Sequence, residues 1–124
     1  MIQEKREQYR KLLKESLDKV VRVMSSRAER ISLFGSCARG KPHTLFTDLD
    51  ILIIMKTNKP FLERTKEIYS LLALPVDADI LCYSPEEFER LKGKRFFRNL
   101  LKEEIILYEK RARGGGEEVV RTGR

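Results

Sequence analysis

The sequence predicts an α/β domain: a small mixed β-sheet of three to five strands with helices packed mainly on one face. Three observations lead there. Short apolar runs alternate with longer amphipathic stretches, the order expected when helices pack on a sheet. The chain is 124 residues long, enough for one domain with a modest core. Its 41% hydrophobic content is that of a folded chain rather than a disordered one.

The elements follow in order. Residues 3–26 read as an amphipathic helix, with Tyr9, Leu13, Leu17, Val20 and Met24 at three- and four-residue steps among Lys, Arg and Glu. Arg30–Phe34 reads as a short strand closed by Gly35. A brief helix is expected near Cys37–Gly40, stopped by Pro42. Leu49–Lys56 is the second strand, and its core 51–55 is the longest apolar run. Asn58 and Pro60 suit the start of a helix through Phe61, Leu62, Ile68, Tyr69 and Leu72, ended by Pro75. Residues 77–83 form a third strand. Ser84-Pro85-Glu86-Glu87 then supplies a capping box, with Ser as N-cap and Glu at the third helical position. One helix or a pair broken near Gly93 carries Phe88, Leu91, Phe96, Phe97, Leu100 and Leu101. Glu104–Tyr108 is a candidate edge strand. From Arg111 periodicity is lost, so the domain is expected over 1–110 and a mobile basic tail over 111–124.

Composition narrows the function. The chain carries 26 Lys and Arg against 19 Asp and Glu, a net charge of +7. That favours a polyanionic ligand or partner. The charges are interspersed, aromatics are 8% and Trp is absent, so direct nucleic-acid binding on a stacking platform is not expected. Charged residues reach 36% while Asn and Gln number four, a bias shared with proteins of hot habitats. Cys37 and Cys82 form no CxxC pair and read as free thiols of a reducing compartment, hence a cytoplasmic location. A run of five apolar residues is too short to span a bilayer.

The chemistry is concentrated in residues 34–50. Gly35 and Ser36 form a turn with backbone N–H groups of the kind that hold phosphate. Asp48 and Asp50 flank one leucine at the start of the second strand, and alternation projects both carboxylates from one face. Like charges held side by side beside a core are unfavourable unless a cation or shared proton compensates them. Gly35-x-x-x-x-Gly40-Lys41 also matches the start of a Walker A loop. Pro42 replaces the Mg²⁺-binding hydroxyl and breaks the helix such a loop opens, so that reading fails. His43, the sole histidine, reads as a solvated loop residue. On the later strand Asp77 and Asp79 share one face, and period-two reasoning does not separate them.

Together, Gly35-Ser36-x-Ala38-Arg39-Gly40, Asp48-x-Asp50, the apolar run and a later strand aspartate resemble the minimal nucleotidyltransferases of the DNA polymerase β superfamily. The resemblance covers residues 1 to about 110. It implies that Gly35 and Ser36 bind the triphosphate and that Asp48 and Asp50 hold two Mg²⁺ ions. It selects Asp79, followed by apolar residues and Ser-Pro-Glu-Glu-Phe, as the third catalytic and metal-binding carboxylate. Arg39 would contact phosphate or pair with a nearby acid. Thr47 stands where that family usually has Ser, Cys37 replaces a more usual polar residue, and one extra residue falls in the loop Lys41–Phe46. The resemblance further implies ATP as substrate, AMP transfer to a partner hydroxyl, and a HEPN-domain RNase toxin as that partner. Two other readings remain: a nucleotide-binding antitoxin that acts by binding alone, and nucleotidylation of a small molecule.

Overall fold

A computed structural model describes residues 2–39, 48–110 and 117–119. The elements are α1 (Ile2–Met24), β1 (Ala28–Phe34), α2 (Gly35–Ala38), β2 (Leu49–Met55), α3 (Phe61–Leu72), β3 (Ala78–Tyr83), α4 (Pro85–Leu91), α5 (Arg95–Glu103), β4 (Ile105–Lys110) and β5 (Glu117–Val119). The strands form one sheet in the order β3-β2-β1-β4-β5. β2 and β3 are parallel, joined through α3, while β1 pairs antiparallel with both β2 and β4. The sheet is therefore mixed, as expected. No helix among the described residues is long and apolar enough to cross a membrane.

Alternation along β2 divides the core. Leu49, Ile51, Ile53 and Met55 pack with Leu13, Val20 and Met24 of α1 and with Ile68 and Leu72 of α3. Leu52 and Ile54 point the other way, into a smaller cluster with Phe34, Phe88 of α4, and Phe97 and Leu100 of α5. The two longer helices thus share one face, and two short ones cover part of the other. The buried stripe of α1 admits Ser16 because its hydroxyl donates to the carbonyl of Leu12 at 2.8 Å.

Most strand and helix ends fall within two residues of the sequence reading, and three differences have a structural consequence. α2 begins at Gly35 itself rather than at Cys37; the stop expected from Pro42 lies outside the described residues. α3 ends before Pro75 acts. Ala73 turns left-handed at φ 44° and its N–H bonds the carbonyl of Tyr69 at 2.9 Å, an end suited to a chain whose residue 74 precedes proline. β4 is not the edge of the sheet. β5 pairs antiparallel with it through Tyr108↔Val119 and Lys110↔Glu117, so residues 117–119 of the expected tail carry a strand. Residues 111–116 and 120–124 lie outside the described residues.

Side chains of α3 cover the other edge, β3. The Tyr69 hydroxyl donates to the carbonyl of Ala78 at 2.8 Å and accepts from the N–H of Ile80 at 3.0 Å. Arg64 donates to the carbonyl of Cys82 at 3.2 Å. Alternate backbone groups along this edge are thereby satisfied without another strand. Arg64, only 4% exposed, also meets Glu87 of α4 through Nη1–Oε1 at 2.6 Å and Nη2–Oε2 at 3.1 Å. This pair links helices on opposite faces around the edge. Glu87 completes the capping box, accepting from the Ser84 N–H while the Ser84 hydroxyl accepts from the Glu87 N–H.

Candidate active site

The parallel register of β2 and β3 places Asp79 opposite Asp50. In the antiparallel register on the other side, Asp50 stands opposite Phe34, the residue before Gly35. Asp50 and Asp79 have the strand parity of Leu52, Ile54, Leu81 and Tyr83, so both belong to the face that α4 and α5 cover only in part. Asp48 lies one residue before β2, on the same parity. Asp48 and Asp79 are exposed and Asp50 is half-buried. Asp77 also lies outside its strand, and its carbonyl accepts from the Leu49 N–H at 3.1 Å.

Gly35 is required here twice over. Its φ is +76°, a region that side chains rarely adopt. A Cβ at this position would lie 2.1 Å from Oδ2 of Asp50, 3.0 Å from its Cγ and 3.2 Å from its Cβ. The glycine therefore makes room for a carboxylate of this same chain. Gly35 opens the four-residue α2, which carries Ser36 and Cys37 at the end of β1 and beside the start of β2. The Cys37 thiol donates to the carbonyl of Asp48 at 3.4 Å. Burial, with Asp50 and Asp48 adding, pushes its pKa up, so it is a neutral thiol.

Asp50 is the electrostatic centre. Burial raises its pKa above the ordinary carboxylate value; repulsion from Asp79 and then Asp48 raises it further, and Arg39 opposes them. Asp79 and Asp48 thus disfavour negative charge on Asp50, a repulsion that a bound cation would relieve. Among the described residues no group of three His, Cys, Asp or Glu side chains is placed so that it could by itself hold a metal ion. Mg²⁺ is ordinarily held by one or two carboxylates together with substrate phosphates rather than by an all-protein cage.

Arg39 makes the acid pair that the sequence left as one of its two options. Its Nη1 meets both oxygens of Glu103 at 3.0 Å. Glu103 Oε1 also accepts from the Gly35 N–H at 3.0 Å. Sequence reasoning missed Glu103, and no local signal marks it: it ends α5, 68 residues from Gly35. Behind it, Glu104 accepts from the buried Ser32 hydroxyl and pairs with Arg30 at 3.2 Å. Gly40, His43, Thr47 and the loop Lys41–Phe46 lie outside the described residues. A cavity of about 550 Å³, lined in part by Arg30, Ile54, Lys56, Phe88 and Lys92, sits toward the opposite end of β1 and β2 and contains none of the predicted site residues.

The model of the nucleotidyltransferase domain family matches residues 10–76, more than half the chain. The chain belongs to that family. The matched span contains Gly35, Ser36, Arg39, Asp48 and Asp50 of this nucleotidyltransferase, while Asp79 and Glu103 lie beyond it. The fold is similar to that of the Sulfolobus solfataricus "putative nucleotidyltransferase", with a TM-score of 0.53 at 22% identity over 87% of this chain and 86% of that one. It is also similar to a chain in the crystal structure of a toxin–antitoxin with AMP-PNP, with a TM-score of 0.51 at 20% identity over 75% of this chain and 73% of that one. No curated protein matches the sequence.

Proposed function

We propose that this nucleotidyltransferase moves AMP from ATP to a hydroxyl of a partner protein in an Mg²⁺-dependent reaction, and that the partner is a HEPN-domain RNase toxin silenced by the modification. The observation that carries this reading is the register of Asp50 with Asp79, beside a Gly35 turn packed against the Asp50 carboxylate. The likeness to a toxin–antitoxin chain crystallised with AMP-PNP supports the choice of nucleotide and of a protein partner.

In this reading Asp48, Asp50 and Asp79, together with the triphosphate itself, would hold two Mg²⁺ ions, which would supply positive charge to stabilise the transferring phosphoryl group. Gly35 and Ser36 receive the triphosphate through backbone N–H and hydroxyl. Arg39 meets a phosphate oxygen. Asp79 takes the proton of the acceptor hydroxyl as its oxygen bonds the α-phosphorus and pyrophosphate leaves. Asp79 sits on the exposed side of the half-buried Asp50, where an acceptor from another protein has access.

The test is incubation with the HEPN partner, ATP and Mg²⁺, followed by intact mass. Wild type is expected to add adenylyl groups to the partner, and an Asp48→Asn, Asp50→Asn double variant to add none. A partner left unmodified by both, yet neutralised equally by both, would replace this reading with inhibition by binding alone.

A further inference from the structure

Glu103 stands where the proposed function needs an anion, and it is already bound there. A backbone amide has one hydrogen to donate. The Gly35 N–H gives it to Glu103 Oε1 at 3.0 Å, and the Arg39 guanidinium is engaged by both oxygens of the same carboxylate. A triphosphate oxygen seeking that amide and Nη1 of that guanidinium meets both occupied by Glu103. The position is otherwise a poor one for an acid. Glu103 is the last residue of α5, and the C-terminus of a helix disfavours negative charge. It also adds to the repulsion on Asp50. What compensates both costs is the pair of donors from the glycine turn. The side chain is 29% exposed, so it has solvent into which to move.

We propose that Glu103 is an internal occupant of the triphosphate cradle, displaced when a nucleotide binds. This rests on the proposed function, in which Gly35 and Arg39 receive the triphosphate. The carboxylate satisfies the donors in the empty protein and sets a threshold that a ligand must exceed. A magnesium-bound triphosphate, with several anionic oxygens and a metal link to the aspartates, has the charge to displace it. A single weak anion does not. Apparent affinity falls by the fraction of molecules in which the cradle is open, so loss of the carboxylate increases affinity.

The experiment is titration of the full chain with Mg²⁺ and AMP-PNP, comparing wild type with Glu103→Gln and Glu103→Ala. Both variants are expected to bind about three- to tenfold more tightly. The gain should persist at about 0.5 M salt, where charges more than a few ångströms apart are screened. Unchanged or weaker binding in both variants overturns the proposal, as does a gain that disappears in salt, since that reports only the removal of a distant charge. If neither wild type nor variants bind the nucleotide, the proposed function fails and this inference with it. Binding without a gain refutes the role of Glu103 alone.

Discussion

Gly35→Ala is expected to lower nucleotidyl transfer at least about 100-fold, the scale on which an ångström of misplacement at a reacting centre acts. The methyl group would meet Oδ2 of Asp50 at 2.1 Å, and turning that carboxylate about its Cβ–Cγ bond still leaves Cγ and Cβ at 3.0 and 3.2 Å, closer than ordinary contact. Either β2 shifts at its start or the turn moves away, and both separate the phosphate donors from the aspartates. The left-handed backbone adds about 1–2 kcal/mol of instability, visible as a lower Tm. Thermal melting beside a transfer assay distinguishes the two effects: a variant that remains folded at the assay temperature should still be inactive. Turnover at the wild-type rate would mean that the contact between Gly35 and Asp50 is irrelevant to the reaction.

The second large effect concerns stability. Glu87→Ala is expected to destabilise the fold by about 3–5 kcal/mol, the cost of leaving a buried charge without its partner. Arg64 is the charge in question, and loss of the capping box falls within the same change. Against a typical total of roughly 5–15 kcal/mol this is severe. The same pair predicts an acid response. Hydrogen bonding from Arg64 and then from the Ser84 backbone holds the Glu87 carboxyl at about 2, below its usual 4.5. A depressed folded-state pKa contributes stability that is fully present above about pH 4.5 and is lost as pH falls toward 2. Denaturant unfolding between pH 7 and pH 3 should show wild type losing stability over that window. A Glu87→Gln protein should lack this component, and identical acid profiles would refute it.

Much of this architecture was legible in the chain. Tyr9 to Met24 announced a long helix because period and polarity agreed over several turns. Ser84 to Glu87 announced a helix start because a capping box is a local device. The alternation of Asp48 and Asp50 with Leu49 and Ile51 placed both carboxylates on one face before any pairing was known. The unread parts are those made by distant residues. Arg64 sits among charged neighbours in α3, and nothing nearby shows that it alone is buried around the edge of β3. The sequence marks Gly35 as a turn glycine, but not that the Cβ it lacks would collide with the Asp50 side chain. Glu103 meets Gly35 only because α5 crosses back over β1 and α2. β5, three residues beside a glycine and charge run, has too little alternation to register as a strand.

The proposed function requires Asp48, Asp50 and Asp79 together with the Gly35 turn to form a metal-dependent nucleotide site. Calorimetric titration with AMP-PNP tests it most directly, run for wild type and Asp50→Asn with Mg²⁺ and with a chelator in its place. Saturable binding should occur in wild type with Mg²⁺ and be lost with the chelator. It should also be lost in Asp50→Asn, although that protein melts at or above the wild-type temperature once a repelled charge is removed. Equal affinity in Asp50→Asn, or binding indifferent to the metal, would contradict the account.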